Sequence, residues 1–216
     1  MSDDKVVSVS EEVFSVPAAL LRRLPKYYNY LRRVQAQGET YVSSVVMAED
    51  LGQSSVQVRK ELALLSSTPG KSRKGFDVNQ LLKDIETFLG YDNTTDVALV
   101  GVGNLGKALL CHNGFVSCGL DIVVAFDTSK ALQGQTINNK KIMPVGKITD
   151  LVRRLGIHLA IIATPAAAAQ SVCDKLVKGG VRGILNLSAS HLVVPKDVTV
   201  QDSDIAMNMS ILAKKV

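Results

Sequence analysis

The sequence contains few of the residues and motifs on which hydrolases and metalloenzymes depend. Only three histidines occur among its 216 residues, and neither His158 nor His191 stands at a metal-ligand spacing such as HxxxH. The chain also has no GxSxG elbow, no GxxxxGKS/T phosphate loop and no recognisable Ser-His-Asp order. We therefore expect no metal ion, and neither serine-hydrolase nor P-loop chemistry.

Paired cysteines and long apolar runs are missing as well. Cys111, Cys118 and Cys173 show no CxxC spacing, which favours reduced thiols and leaves a redox role open for Cys111 or Cys118. No apolar run reaches the length of a membrane span, and the amino-terminal MSDDKVVSVSEE is acidic where a signal peptide would be basic. We expect a cytoplasmic globular protein with no membrane partner.

The positive charge of the chain is unevenly placed. The formal net charge is +5, but basic and acidic residues are nearly balanced up to Glu86. Net charge alone is therefore no evidence for nucleic acid, whereas local clusters free of acids are. Two such clusters occur in the first third of the chain: Arg22, Arg23, Lys26, Arg32 and Arg33, followed by Lys71, Arg73 and Lys74.

The most informative stretch is VALVGVGNLG, residues 97–106, in which a short apolar strand enters Gly101-x-Gly103-x-x-Gly106 and then a helix-forming segment. Gly101 permits a tight turn, Gly103 allows the backbone to approach a pyrophosphate, and Gly106 lets the helix lie close to the strand. The helix also directs free N–H groups at phosphate. This pattern predicts a dinucleotide site.

An acid follows at the expected distance. Asp127 ends a second apolar strand about 20 residues after Gly106, where a carboxylate can accept both adenosine ribose hydroxyls. No arginine follows it immediately, so the sequence favours NAD(H) over NADP(H). Two alternatives stay open at this point: a glycine-rich turn that binds nothing, and a turn that binds another nucleotide such as coenzyme A.

The first third of the chain predicts a helix-turn-helix. An amphipathic helix with a basic outer face runs from Val16 through Val34 and ends at Gly38. Ser43 and Ser44 precede a short second helix that stops at Gly52, and Ser54-Ser55 open a third helix that runs to Leu64 or Leu65. Two short helices joined by a turn that contains glycine match the helix-turn-helix motif.

The third helix has the composition of a recognition helix. We expect its exposed face to carry Ser54, Ser55, Gln57, Arg59 and Lys60. We expect the apolar side chains Val56, Val58, Leu62 and Leu65 to pack against the core. Gln and Arg can read base edges, and Ser and Lys can bind phosphate. The turn-rich basic segment 66–78 predicts a wing that touches the DNA backbone or minor groove. A merely solvated helical cap is the alternative.

At this point the chain resembles the Rex family of redox-sensing transcriptional repressors, nearly from end to end. The resemblance rests on RRLPKYYNYL, YVSSVVMAEDLG, QVRKEL, LVGVGNLGKAL, FDTSK, ATPAAAAQSVCDKLV, GVRGILN and DIAMN, in that order. It implies a homodimer whose winged-helix domains bind an inverted-repeat DNA operator and whose Rossmann domains bind NAD(H). In that family a rise in NADH releases the operator, and no substrate is turned over.

The resemblance assigns roles by position. The DNA contacts would be Gln57, Arg59 and Lys60 in the recognition helix, Ser43 and Ser44 near phosphate, and Lys71, Arg73 and Lys74 in the wing. The adenosine diphosphate end would be held by Gly101, Gly103, Asn104, Leu105, Gly106 and Asp127. Thr164, Pro165, Ala166 and Asn186 follow strands, where a nicotinamide is expected.

This chain departs from the family pattern at positions that bear on switching. Family members usually carry Arg at Asn29 and commonly Tyr at His112, while the acid Asp204 is kept. A histidine at 112 can still pair with Asp204, and its pKa would make such a link sensitive to pH. The unremarkable alternative is a helix-end residue. The wing and the Leu187-Ser188-Ala189 triplet also differ from the family.

The predicted fold is α/β: residues 1–89 form a winged-helix DNA-binding domain with a joining helix, and residues 90–202 form a doubly wound Rossmann domain. Residues 203–216 form a C-terminal helix that is expected to pack on the partner subunit. A small NAD-dependent oxidoreductase with a helical cap is the alternative function. For that reaction the chain offers Thr164, Ser188 and His191 near the expected nicotinamide position but no paired acid and base. A coenzyme A module would leave the basic helices unexplained.

Overall fold

The structure is a computed structural model that describes residues 17–91 and 94–214. The chain forms two compact units that divide between Asp92 and Asn93. The division itself, at residues 92 and 93, lies outside the described residues. Among those residues, none of the helices has both the length and the apolar character needed to cross a membrane.

The first unit is helical with one small sheet. Its helices are α1 (Ala18–Leu21), α2 (Leu24–Ala36), α3 (Ser44–Asp50), α4 (Ser55–Leu65) and α5 (Val78–Leu89). Strand β1 (Tyr41–Val42) pairs antiparallel with β2 (Phe76–Asp77). The long first helix predicted from the sequence is interrupted, because Pro25 lies in the first turn of α2. A proline lacks the backbone N–H and crowds the carbonyl four residues earlier, so it starts a helix rather than continuing one.

Helical spacing builds the core of the first unit. Buried positions recur at intervals of three or four residues, as an apolar helix face requires. They include Leu24, Tyr27 and Leu31 of α2, Val58, Leu62 and Leu65 of α4, and Leu81, Leu82 and Ile85 of α5. The second and third predicted helices, α3 and α4, are thus held side by side on one core.

The second unit is built on a seven-stranded sheet in the order β5-β6-β4-β3-β7-β8-β9. The strands are β3 (Thr95–Val100), β4 (Leu120–Asp127), β5 (Thr136–Ile137), β6 (Lys140–Pro144), β7 (Leu159–Ile162), β8 (Gly183–Asn186) and β9 (Thr199–Asp202). All pairings are parallel except that of β5 with β6. The six parallel strands follow the doubly wound order, which confirms the predicted fold class.

Alternation along β3 divides the core of this unit into two layers. Val97 and Leu99 pack on the side of α6 (Asn104–Leu110), whereas Ala98 and Val100 pack in the layer of α7 (Ile148–Arg154) and α8 (Ala166–Gly179). The chain turns from β3 to β4 on one side and reaches β7 on the other. The carboxyl ends of β3 and β7 therefore flank the crevice where such sheets bind ligands.

The sheet is followed by helix α9 (Ile205–Ala213), which lies within the segment 203–216 predicted from the sequence; residues 215 and 216 lie outside the described part of the chain. No residue of α9 is buried, although its composition is strongly apolar. The short hairpin of β5 with β6 was not predicted.

Candidate functional site

The structure gives a different reason for glycine at each of the three positions of the fingerprint. Gly101 has φ +98°, and a Cβ there would lie 2.4 Å from the carbonyl oxygen of Ala163. A Cβ on Gly106 would lie 2.0 Å from the carbonyl oxygen of Gly101, so the start of α6 requires glycine for packing. Gly103 has an ordinary φ of −70°, and apart from its chain neighbours no atom of the described residues lies within 4 Å of its Cβ position. Packing of this chain therefore does not explain Gly103, whereas close approach of a ligand does.

Asp127 ties this loop to the next strand. Its Oδ2 accepts a hydrogen bond from the Val102 backbone N–H at 2.7 Å, and its Oδ1 accepts one from the Ser129 N–H at 2.7 Å. A carboxylate has about four acceptor positions, so each oxygen keeps capacity for a further donor such as a ribose hydroxyl. The predicted ribose acceptor is thus fixed beside the glycine loop.

Thr164 supplies independent evidence for a ligand at this crevice. It follows β7 and approaches Gly101, whose Cβ position lies 3.1 Å from Thr164 Cγ2. The Thr164 hydroxyl is buried and has no hydrogen-bond partner among the described residues. An unsatisfied buried hydroxyl costs about 1–3 kcal/mol, so a polar ligand group is the natural partner. Four other predicted contacts are exposed around this crevice, namely Asn104, Leu105, Pro165 and Ala166.

Asn186 has a different task from the one its position suggests. It is fully buried, and its amide nitrogen donates to the Ser190 carbonyl and to Asp202 Oδ1, both at 2.7 Å. Its amide oxygen accepts from the backbone N–H and the hydroxyl of Ser188. These four bonds use the side chain's capacity. The Asn186 side chain therefore organises the loop after β8, and a contact of Asn186 with the nicotinamide stays a prediction.

The helix-turn-helix forms as the serines predict. Ser43 is the N-cap of α3, with its hydroxyl accepting from the Val45 N–H at 3.3 Å. Ser54 takes the N-cap position of α4 without a side-chain cap bond. A cleft of about 640 Å³ is shared by the helix-turn-helix and the segment after it. It brings together five predicted DNA contacts, which are Ser43, Ser44, Arg59, Lys71 and Arg73.

The outer face of α4 differs from the prediction at two residues. Ser54, Ser55, Arg59 and Lys60 are exposed as expected. Val56, expected in the core, is 62% exposed, because helical geometry places it roughly opposite the buried Leu65. Gln57, expected to face outward, is half-buried and donates to Glu61 Oε1 at 3.1 Å. The readable face of α4 is therefore centred on Val56, Arg59 and Lys60.

A polar network around Glu61 fixes the rotation of α4. Glu61 pairs with the Arg23 guanidinium and accepts from the Tyr27 hydroxyl at 2.5 Å and from Gln57. Burial raises the pKa of Glu61, but the hydrogen bonds from Arg23, Tyr27 and Gln57 outweigh it and lower the pKa below its ordinary value. Sequence reasoning missed this residue, because a lone acid in a basic helix resembles a solvated surface charge.

The wing is a tight turn closed on itself. Lys71 and Gly75 exchange two backbone hydrogen bonds, Lys71 N–H to Gly75 O at 2.7 Å and Gly75 N–H to Lys71 O at 2.9 Å. Arg73 lies at the tip with φ +63°. Gly75 has φ +90°, and a Cβ there would lie 2.1 Å from the Val42 carbonyl oxygen, so the turn requires glycine.

Tyr41 positions two cations of this wing. The Lys71 ammonium donates to the Tyr41 hydroxyl at 2.6 Å, which raises the pKa of Lys71. The ammonium groups of Lys71 and Lys74 lie 5.0 Å and 5.7 Å from the centroid of the Tyr41 ring. The sequence alone did not single out Tyr41, because the contact depends on the pairing of β1 with β2.

Known proteins of similar sequence match nearly the whole chain. The redox-sensing transcriptional repressor Rex of Carboxydothermus hydrogenoformans is 40% identical over 199 residues, which cover 92% of this chain and 95% of the relative. The chain belongs to the Rex family. Rex 1 of Enterococcus faecalis is 36% identical, with 91% of each chain covered. The resemblance drawn from the sequence motifs is thereby confirmed.

Solved Rex-family structures share the whole fold. The crystal structure of RSP, a Rex-family repressor, in complex with beta-NAD+ and operator DNA has a TM-score of 0.86 and 28% sequence identity, and the match covers 93% of this chain and 92% of that chain. RSP in complex with beta-NADH has a TM-score of 0.83 and covers 93% of both. Family models described as "CoA binding domain" and "Putative DNA-binding protein N-terminus" match residues 92–190 and 15–63.

The three residues that the resemblance links to switching, Asn29, His112 and Asp204, lie on different elements. Asn29 is exposed on α2. Asp204 follows β9 at the carboxyl edge of the sheet and caps α9, accepting from the Met207 N–H at 2.9 Å. His112 lines a cavity with Asp121, the second residue of β4, and Lys140, the first residue of β6, at the amino edge of the sheet. Within the second unit of a single chain, His112 and Asp204 therefore lie at opposite edges of the sheet. A link between them stays a prediction, and it requires a second copy of the chain.

Proposed function

We propose that this chain is a DNA-binding transcriptional repressor that senses the ratio of NADH to NAD⁺ and releases its operator when NADH is bound. The observation that carries the proposal is the unpaired, buried Thr164 hydroxyl beside the glycine loop, in a chain whose other unit presents a helix-turn-helix. Relatives across almost its whole length are named redox-sensing transcriptional repressors.

The first unit supports the DNA-binding part of the proposal. Arg59 and Lys60 of α4 and Lys71, Arg73 and Lys74 of the wing are all exposed. Cations on a recognition helix and a wing are placed to neutralise phosphates, and each neutralised phosphate makes the affinity more sensitive to salt. We expect these five side chains to bind an inverted-repeat duplex, with Ser43 and Ser44 donating to phosphate. Gln57 acts by holding α4 in position.

The second unit supports the nucleotide-binding part. Gly103 admits the pyrophosphate, Asp127 accepts the ribose hydroxyls, and the Thr164 hydroxyl bonds the nicotinamide end. When bound, the dinucleotide supplies one chemical difference, the oxidation state of its nicotinamide ring. The adenosine contacts serve both redox forms equally, so the residues after β7 and β8 carry the discrimination.

We propose that the nucleotide is a regulatory ligand of a cytoplasmic protein and not the cosubstrate of an enzyme. Proton transfer to a carbonyl substrate needs an acid or base near the nicotinamide. The Ser188 hydroxyl is bonded to Asn186 and Ser190, and His191 is exposed on the loop. Neither supports the oxidoreductase alternative, which predicts turnover of bound NADH with a carbonyl compound.

We further propose that the protein is a homodimer held in part by α9, and that residues 1–89, 90–202 and 203–216 act as its DNA-binding, nucleotide-binding and dimerising parts. Five apolar side chains of α9 are 50–65% exposed in the single chain: Ile205, Met207, Met209, Ile211 and Leu212. An apolar groove of about 260 Å³ also lies open on the face of β7 and β8. A second copy would cover such surfaces.

Truncation before Ser203 tests the dimer. Loss of α9 should leave a monomer at micromolar concentration in analytical ultracentrifugation, because the exposed apolar helix is removed from the interface. A stable dimer of the truncated chain would contradict the role of α9, while leaving DNA and nucleotide binding to be tested separately.

The coupling needed between the two sites is modest. A ligand shifts a conformational equilibrium only by its difference in affinity for the two states. A coupling free energy of about 1–3 kcal/mol changes operator affinity roughly 5–150-fold. By reciprocity, operator DNA must weaken NADH binding by the same factor.

Fluorescence anisotropy tests the proposal as a whole. The full chain is bound to a labelled inverted repeat at fixed salt and titrated separately with NADH, NAD⁺, NADPH and coenzyme A. We expect only NADH to release the DNA, and we expect added NAD⁺ to raise the NADH concentration needed for release, because the two compete for one site. DNA binding that no nucleotide alters would refute the sensor, and the absence of salt-dependent DNA binding would refute the repressor.

A further inference from the structure

The centre of the outer face of α4 is apolar. Val56 is 62% exposed and lies nine residues before the buried Leu65, which at about 100° per residue places the two side chains on opposite sides of the helix. Ala63, on nearly the same line as Val56, is also exposed. Arg59 and Lys60 lie on either side of this line and are exposed as well. An apolar strip thus runs between two cations on the face directed away from the core.

Val56 serves neither packing nor helix formation at this position. The residues that anchor α4 to the core are Val58, Leu62 and Leu65. A β-branched residue is also a weaker helix former than Ala, Arg or Lys, because its χ1 freedom is restricted in a helix. Single exposed apolar side chains are common on protein surfaces, so exposure alone decides nothing. The position in the fold does decide, because Val56 lies in the first turn of the second helix of a helix-turn-helix.

The partner that fits this position is a base edge of duplex DNA. The amino-terminal residues of a recognition helix reach the floor of the major groove. Arg59 and Lys60 beside Val56 match the negative charge of phosphates on both strands. On that floor the apolar group is the C5-methyl of thymine, since the other groups there are hydrogen-bond donors and acceptors. An exposed valine at this point has one apolar group to contact.

We propose that Val56 contacts the 5-methyl group of a thymine in each half of the operator and thereby selects thymine over cytosine at that position. The inference rests on the proposed DNA-binding function and adds a specificity determinant to it. Removing one buried methyl group costs about fourfold in affinity, which corresponds to about 0.8 kcal/mol. The effect is small in one half-site and is repeated in the other.

Deoxyuridine scanning measures this contact, because deoxyuridine differs from thymidine only by the missing methyl group. The full chain first selects its operator from a random duplex library. Each thymine pair of the selected repeat is then replaced by deoxyuridine, and affinity is measured by anisotropy at fixed salt. We expect one symmetric position at which the replacement weakens the native protein about fourfold per half-site and leaves Val56→Ala unaffected. Such coupling between protein and methyl group identifies the contact.

A reciprocal substitution and a matched variant complete the test. At the same position, 5-methylcytosine should bind the native protein better than cytosine does, and Val56→Ala should not distinguish the two. Leu64→Ala is the control, since Leu64 is 48% exposed on the same helix but lies two turns further from its start. That variant should keep the full methyl effect.

The outcomes separate the two claims. Equal deoxyuridine effects in the native protein and in Val56→Ala at every thymine would overturn the contact while leaving the repressor intact. Failure to enrich any sequence, together with no salt-dependent DNA binding, would overturn the proposed function itself. Because Val56 is exposed, the variant should keep the native circular dichroism spectrum, and a coupling measured with an unfolded variant would not count as support.

Discussion

Replacing Gly103 with alanine separates the folding role of the glycine loop from its ligand role. Gly103 precedes α6 with φ −70°, and within the described part of the chain no atom beyond its chain neighbours lies within 4 Å of the position that a Cβ would take. The alanine therefore fits without a clash there and adopts the native backbone. The methyl group instead fills the space through which a pyrophosphate would approach. We expect Gly103→Ala to fold normally and to bind NADH poorly.

The expected change in stability is close to zero because two effects oppose each other. Gly→Ala at a compatible φ stabilises by about 0.4–1 kcal/mol, since the unfolded chain loses freedom. Gly103 is also the N-cap of α6, where glycine is preferred over alanine by a similar amount. The net change should shift the melting temperature by less than about 4 °C. In Gly106→Ala, by contrast, a Cβ lies 2.0 Å from the Gly101 carbonyl oxygen and should destabilise the unit clearly.

The affinity for NADH should fall at least tenfold in Gly103→Ala, which corresponds to about 1.4 kcal/mol. Calorimetric melting gives the stability, and direct titration of NADH fluorescence gives the affinity without interference from tryptophan, which the chain lacks. Gly146→Ala is the matched control, because its Cβ position is also open and its φ is ordinary. Native NADH affinity in a well-folded Gly103→Ala would refute the close approach of the pyrophosphate.

Three further predictions follow from single side chains. Thr164→Val removes an unpaired buried hydroxyl, so the ligand-free protein should gain up to about 1 kcal/mol in stability while NADH affinity falls; a stability loss on calorimetry would contradict this. Because the pKa of Glu61 is lowered in the fold, its contribution is present above the ordinary pKa and is lost as pH falls through the folded value. Urea unfolding, followed by the tyrosines, should show native protein and Glu61→Gln converging at acid pH. His112→Phe should alter NADH-driven operator release, and unchanged release across pH would refute the predicted link with Asp204.

The tyrosine signal in that experiment is specific to one unit. All five tyrosines, at positions 27, 28, 30, 41 and 91, precede the division at residues 92 and 93. Tyrosine fluorescence therefore reports on the DNA-binding unit alone. A separate measurement such as calorimetry is needed for the second unit.

The sequence predicted the parts of the fold that depend on local periodicity and on glycine spacing. The strand, turn and helix around Gly101, Gly103 and Gly106 need no distant contact to be recognised, and neither does the serine that caps α3. The apolar pattern was less informative where a single residue breaks a helix. Pro25 divides the first helix because of a clash within the helix itself, a rule that outweighs the apolar pattern on either side of it.

Side-chain roles in the candidate sites were harder to predict than the elements that carry them. Val56 and Gln57 exchanged their expected faces. Helical geometry places Val56 opposite the buried Leu65. Gln57 is turned inward by its bond to Glu61, which Arg23 and Tyr27 hold from far away in sequence. Asn186 has a suitable position for a ligand contact, but its bonds are used by residues of the following loop and of β9. The missing partner of Thr164 is a fact of tertiary packing that periodicity cannot reveal.

The hydrogen bonds that Asp127 accepts from Val102 and Ser129 bear on whether the protein responds to the ratio of NADH to NAD⁺ or to their total concentration. If Asp127 accepts the adenosine ribose as proposed, these bonds hold that end of the site in place before any nucleotide binds. The adenosine end is chemically identical in NADH and NAD⁺, so both forms compete for one preformed binding site. When the total pool exceeds both dissociation constants, nearly every copy is filled, and occupancy follows the quotient of the two concentrations weighted by their affinities. Growth of the pool at constant redox balance would then leave gene expression unchanged.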